Sequence, residues 1–255
     1  MKWDFSFNLD DTRNRYRNYH RASSHSPLMQ MKKAPRREYE VKNLDSVGKT
    51  VKFKIDPNMF NDPSNMSFKE VIKNRRTSWS FAGKDLTEGH FKELMLYSFG
   101  ISNEKEKKRT YPSGGQFYSI EIYMIPTKRT VATGLFDEKV YKFNVNRYEI
   151  VEMGEVNIDS IDRISASTDV GLFSLEQVQF IIFLVGNDKD LSIKYMDLSY
   201  RIMLLEAGHM AQNFLLSCTF MGINSVPLGG YHESEIKEIL NLPKNQMVLY
   251  TLLGG

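Results

Sequence analysis

Hydrophobic positions are scattered over residues 1–65 and become periodic only beyond them. The early segment mixes charges with isolated aromatics and turn signals such as Asp56-Pro57-Asn58 and Asn61-Asp62-Pro63-Ser64. It reads as an extension, 1–65, draped on a main domain, 66–255. Ser67-Phe68-Lys69-Glu70 matches a capping box, in which serine and glutamate each satisfy an orphan backbone donor, and opens a helix expected to reach Asn74. A second helix starts near Thr87, sets Phe91, Leu94, Met95 and Phe99 on one face, and is capped by Gly100. Partial alternation predicts strands at 118–126, 139–145 and 147–153. Phe180-Ile181-Ile182-Phe183-Leu184-Val185 is apolar without interruption, the mark of a central strand buried on both faces. One long helix is expected from Ile193 to Met221. Its apolar residues, including Ile202, Leu205, Met210 and Phe214, spread over more than one side, as a domain core or a subunit interface requires. A short helix at 234–241 stops before Pro243, and a strand at 247–253 follows. Helices and strands out of strict alternation predict an α+β fold.

Composition narrows the function classes. With 255 residues, 41% apolar and 25% charged, the chain suits one large domain with an extension, of the ordinary soluble type. The formal charge of +3 is small and spread out, and the run Lys32-Lys33 with Arg36-Arg37 is broken by Ala34-Pro35 and has no aromatic ladder. A nucleic-acid partner is therefore not expected. Nor is a membrane partner, because the longest apolar run is far shorter than the roughly 20 residues a spanning helix needs. The opening residues soon meet Asp10-Asp11 rather than an apolar stretch, and a single cysteine, Cys218, allows no intrachain disulfide. A cytoplasmic location is the expectation.

Candidate chemistry gathers in a few loops. Arg75-Arg76-Thr77 places two guanidiniums at a helix end, and paired guanidiniums suit phosphate because each fork donates parallel charge-assisted hydrogen bonds. Pro112-Ser113-Gly114-Gly115 is a turn that lets backbone N–H groups approach a flat, oxygen-rich ligand. Val226-Pro227-Leu228-Gly229-Gly230-Tyr231 reads as a further loop of close backbone approach. Together they indicate a phosphorylated cofactor. Lys194-Tyr195, at the expected start of the long helix, has the make-up of a proton-transfer pair, with the lysine set against the helix dipole.

Other signals carry less. Ser46-Val47-Gly48-Lys49-Thr50 imitates a phosphate-binding loop, but Asn43 stands where its first glycine belongs and a strand pattern follows instead of a helix. Glu206 and His209 have the spacing of a di-iron ligand pair, which needs a second copy that this chain lacks, so no metal site is assigned. Cys218, in an apolar stretch, reads as a small hydrophobe.

Taken in order, Arg75-Arg76-Thr77 with Phe81, Pro112-Ser113-Gly114-Gly115 and Pro227-Leu228-Gly229-Gly230 resemble the FMN-dependent nitroreductase superfamily. Lys194-Tyr195, Tyr200-Arg201 and the run Leu204-Leu205-Glu206-Ala207-Gly208-His209-Met210-Ala211-Gln212-Asn213 look like the SagB-type azoline dehydrogenases, as does Tyr19-His20-Arg21-Ala22-Ser23. This resemblance implies a homodimeric α+β sandwich with a mostly antiparallel central sheet, a long central helix and FMN at the subunit interface. It implies that Arg75, Arg76 and Thr77 hold the phosphate end, with Trp79 where many relatives carry a basic residue beneath the pyrimidine ring. Pro112, Ser113, Gly114 and Gly115 would reach the flavin from the second chain, and Leu228, Gly229 and Gly230 would present backbone near N5. Lys194 and Tyr195 match the pair to which proton abstraction is assigned, although Met196 and Leu198 replace the glycine and arginine expected beside it. The implied activity is oxidation of thiazoline or oxazoline rings to azoles in a ribosomally made peptide, with a cyclodehydratase complex as a further partner. The alternatives are a nicotinamide-dependent nitro- or quinone reductase and a non-catalytic subunit of a peptide-modifying complex.

Overall fold

The computed structural model describes residues 19–20, 49–61, 66–83, 85–165, 171 and 174–255. The expectations resting on Arg21-Ala22-Ser23, on the basic run at 32–37 and on the domain boundary near residue 65 lie outside the described residues. In chain order the elements are β1 (Val51–Lys54), α1 (Phe68–Asn74), α2 (Glu88–Phe99), β2 (Ile101–Asn103), β3 (Lys108–Arg109), β4 (Ile120–Pro126), α3 (Lys128–Ala132) and β5 (Lys139–Asn144). They continue with β6 (Glu149–Glu155), β7 (Phe180–Asn187), α4 (Leu191–Tyr195), α5 (Leu198–Phe220), β8 (Ser225–Leu228), α6 (Glu233–Ile239) and β9 (Gln246–Gly254).

One sheet of order β1-β6-β5-β4-β7-β9-β8 organises the chain, and each neighbouring pair in it is antiparallel. The period-2 alternation of β4 and β7 divides the core in two. Ile120, Ile122, Met124, Phe180, Ile182 and Leu184 face a layer built on α2 and α5, where they meet Phe91, Leu94, Met203, Met210 and Phe214. Tyr123, Ile125, Ile181, Phe183 and Val185 face the opposite layer, with Val226, Leu228 and Ile236. Residues 180–185 are fully buried, so the uninterrupted apolar run is the two-faced central strand that it suggests. Each such side chain withdrawn from water stabilises the fold by about 1.5–3 kcal/mol. The architecture is the α+β sandwich implied by the sequence.

Local signals act as read. The Ser67 N–H donates to Glu70 Oε2 at 2.8 Å and the Glu70 N–H to Ser67 Oγ at 3.3 Å, which closes the capping box of α1. Thr87 Oγ1 accepts the His90 N–H at 3.2 Å and starts α2. Val51–Lys54 follows the Gly48-Lys49-Thr50 imitation directly as a strand, so no helix N-terminus faces a phosphate there. Within the segment read as an extension, β1 pairs with β6 at the sheet edge and buries Phe53 in the core.

Two expectations need correction. The helix expected over 193–221 is broken: α4 ends at Tyr195, Met196 turns to φ 45°, ψ −129°, and α5 begins at Leu198. Ser199 holds the break, its N–H and Oγ–H both donating to Met196 O, at 3.0 and 2.6 Å. Lys194 and Tyr195 therefore close a short helix instead of opening a long one, and the lysine lies with that helix's dipole, not against it. The stretch Val226–Leu228, read as loop, belongs to β8, whose position at the sheet edge tolerates Pro227. Among the described residues, no helix is long and apolar enough to cross a membrane.

Candidate functional site

At one end of β8 lies the arginine segment. Arg75 is the C-cap of α1, and Arg76 Nη1 donates to Lys73 O at 2.9 Å and Arg75 O at 2.7 Å, which satisfies carbonyls that the helix end leaves open. Arg76, Thr77 and Trp79 are exposed. The Ser78 N–H donates to Ser225 O at 3.1 Å, and Phe81 is fully buried. Arg129 fixes the far side of the segment: Nη1 donates to Phe81 O at 2.6 Å and Gln177 O at 2.9 Å, Nη2 donates to Gly83 O at 2.6 Å, and Nε donates to Asp85 at 2.9 Å.

From Ser225, opposite Gly254, β8 runs to Leu228, opposite Thr251, and then into Gly229, Gly230 and Tyr231. Tyr231 Oη donates to Val248 O at 2.6 Å. The path from Ser78 to Tyr231 thus follows the sheet edge past residues 254 to 248 of β9, a span of about 20 Å at the usual rise per strand residue. Leu228 is buried, so it offers a ligand only its backbone. Gly229 and Gly230 are exposed, and a Cβ on either would meet nothing within 4 Å, so the space beside their backbone is open. Burial pushes the Tyr231 hydroxyl up to about 12, and Glu233 and Tyr200 add to this.

Lys194 and Tyr195 meet the Pro112–Gly115 turn. The Lys194 ammonium lies 5.7 Å from the Phe117 ring centroid and 5.0 Å from that of Tyr195, and the two rings are edge-on at 6.0 Å. Gly115 has φ +63°, a left-handed backbone suited to glycine, and a Cβ there would come within 2.8 Å of Tyr195 Oη. A Cβ on Gly114 would come within 2.5 Å of Ile202 Cγ2 on α5. The first turn of α5 also holds the described part of the N-terminal segment: Arg201 Nη2 donates to His20 O at 2.8 Å, and the Tyr19 and Tyr200 rings meet edge-on at 5.3 Å.

Beneath the turn lies Glu206, 2% exposed, whose Oε2 accepts from Ser113 Oγ at 2.5 Å. Burial pushes its carboxyl up to about 7, opposed by the Ser113 hydroxyl, the Arg109 guanidinium and the backbone N–H groups of Ile120 and Ser119. Sequence reasoning set Glu206 aside as half of a metal pair. The signal that could have found it is a lone carboxylate at the spacing of Met203 and Met210, on the face of α5 that turns inward. Among the described residues, no group of three or more His, Cys, Asp or Glu is placed to hold a metal. Cys218 is buried and its thiol is pushed up by burial, which fits a packing role. Arg75 to Trp79 and Leu228 to Gly230 thus line one edge of the sheet, while Lys194 and Tyr195 gather with Gly114 and Gly115.

Comparison with known proteins gives this arrangement a class. The chain belongs to the nitroreductase family, whose pattern matches residues 72–255 and whose members generally bind FMN. A Methanocaldococcus jannaschii protein named as a nitroreductase is 25% identical over 193 residues, covering 74% of this chain and 91% of its own. The microcin B17-processing protein McbC of Escherichia coli is 27% identical over 153 residues, 59% of this chain and 54% of McbC. The fold also matches a chain of the E. coli microcin synthetase McbBCD complex with truncated pro-MccB17 bound, with a TM-score of 0.60 at 18% identity over 96% of this chain and 93% of that one.

Proposed function

We propose that this protein is an FMN-dependent dehydrogenase that oxidises azoline rings to azoles in a ribosomally synthesised peptide. The observation that carries the reading is the close seating of Tyr195 Oη against the Gly115 backbone with the Lys194 ammonium beside it, which sets a proton-transfer pair on the candidate cofactor turn. Family membership supports the flavin, and the similarity to McbC, whose name marks it as a peptide-processing protein, supports the peptide.

The residues fit FMN. Cationic and hydroxyl side chains stand at one end of an edge about 20 Å long, and exposed glycine backbone lies toward its other end. Arg75, Arg76 and Thr77 hold the phosphate, Trp79 lies toward the ring system, and Gly229 and Gly230 offer N–H groups to the ring edge. Bound FMN supplies the acceptor for the hydride that leaves the azoline ring. Lys194 Nζ removes the proton from the ring α-carbon, which the neighbouring C=N and carbonyl acidify, and Tyr195 Oη orients the ring or relays that proton. Aromaticity drives the step, and the chain's share is orientation of the ring and exclusion of water.

A homodimer is part of this reading. Phe68 and Ile72 of α1 and Leu204 and Leu205 of α5, helices that pack on one another, are exposed apolar residues suited to cover by a second copy. In that dimer Pro112, Ser113, Gly114 and Gly115 reach the flavin of the other copy, and Lys194 and Tyr195 accompany them. A cyclodehydratase complex would deliver the azoline peptide.

The test is direct. Purified protein should be yellow and should lower the mass of an azoline peptide by about 2 Da per ring, the mass of two hydrogens. Lys194→Ala should stay yellow and lose turnover, and Arg75→Ala with Arg76→Ala should be colourless. Rapid bleaching of the flavin by NADH or NADPH alone, with no change in the peptide, would favour a nitro- or quinone reductase instead.

A further inference from the structure

The proposed reaction makes no use of the buried carboxyl of Glu206. Burying such a group is unfavourable unless it is partnered, and its partner is the candidate cofactor turn itself. Ile202 and Glu206, one turn apart on α5, both press on that turn: Ile202 occupies the space a Gly114 side chain would need, and Glu206 Oε2 accepts from the Ser113 hydroxyl. Ser113 Oγ in turn accepts the Tyr118 N–H at 2.8 Å, which closes the segment 113–118 on itself.

That segment needs a fastening. Gln116 at φ 59° and Tyr118 at φ 48° are non-glycine residues in the left-handed region, alongside Gly115 at 63°. Such a backbone persists only where its surroundings over-determine it. Arg109 adds a second constraint, its guanidinium 4.4 Å from the Tyr118 ring centroid and its Nη1 donating to Tyr111 Oη at 2.7 Å.

We infer that Glu206 is a positioning residue that acts through the Ser113 hydroxyl, holding the Pro112–Gly115 turn in the shape that presents Gly114 and Gly115 to the flavin. This rests on the reading of the turn as a flavin contact. What the geometry asks of residue 206 is an acceptor at Oε2, so a neutral amide oxygen serves as well as a carboxylate, whereas an alkyl group does not.

The experiment compares the full-length wild type with Glu206→Gln, Glu206→Leu, Ser113→Ala and the double variant Ser113→Ala/Glu206→Leu. Two quantities are read: amide hydrogen exchange at Tyr118 in flavin-stripped protein, and the Kd for added FMN by fluorescence quenching. Glu206→Leu and Ser113→Ala should each lose Tyr118 protection and weaken FMN binding about tenfold, the double variant should be no worse than either, and Glu206→Gln should keep both properties. Wild-type protection of Tyr118 in Glu206→Leu, or additive losses in the double variant, would overturn the inference. If Glu206→Leu does not fold, Glu206→Ala takes its place: lost Tyr118 protection there, kept in Glu206→Gln, supports the inference, and wild-type protection overturns it. A wild type that refuses FMN would sink the proposed function, while the exchange series would still judge the Glu206 fastening.

Discussion

The backbone of Gly115 and the hydroxyl of Tyr195 are packed so closely that a single carbon added at Gly115 would sit 2.8 Å from that hydroxyl. Gly115→Ala should therefore cost about 1–2 kcal/mol, from its left-handed φ and from this contact together. In a Tyr195→Phe background the contact part should disappear and the cost should shrink. Denaturant unfolding of the two single variants and the double variant checks this, and an unchanged cost would mean that the two residues are not in contact.

Glu206 makes stability depend on pH. Above the ordinary carboxyl value of 4.5 the unfolded chain releases a proton that the folded chain keeps until about 7. Stability should fall as pH rises across that window and level off above it, by about 3 kcal/mol for this group. Glu206→Gln should flatten the profile and, at pH 8, unfold at a higher temperature than the wild type. Thermal melts from pH 4 to pH 8 provide the measurement.

Met196 sits at φ 45°, ψ −129°, a backbone glycine adopts readily and methionine adopts at a cost of about 1–3 kcal/mol. Met196 is 40% exposed, so truncation gives up part of its burial, and the extra chain entropy of glycine offsets more of the gain. Met196→Gly should therefore stabilise the protein by no more than about 1 kcal/mol, and a Tm at or slightly above the wild-type value would show it.

Because Gly115 abuts Tyr195 within one chain, any flavin that receives the Pro112–Gly115 turn of a second copy also receives that copy's Lys194. Mixed dimers of Lys194→Ala with Arg75→Ala/Arg76→Ala should regain up to half the wild-type activity per dimer, since one of the two sites is then intact (about one in two). No recovery on mixing would assign the clamp and the lysine to one chain.

The fold was legible where local chemistry and burial agree. Ser67 and Glu70 announce a helix start through their own hydrogen bonds, and the run from Phe180 to Val185 admits no exposed face. The break at Met196 was not legible, because each residue from Leu191 to Phe220 tolerates a helix and the fixing bonds come from Ser199. Arg75, Gly114, Lys194 and Gly229 could be picked out by type and order. The dependence of the Pro112–Gly115 turn on Glu206 could not, because it joins residues 93 positions apart and leaves no periodic trace.

Arg129 gives the arginine segment a property of its own. With Phe81 O, Gly83 O and Asp85 tied to one guanidinium and Ser78 tied to Ser225, the stretch is immobilised when the chain folds, before any ligand arrives. Under the proposed function, an incoming phosphate would then meet a segment with little ordering left to do. Capture should be quick, and differences in affinity among variants of this stretch should appear in residence time.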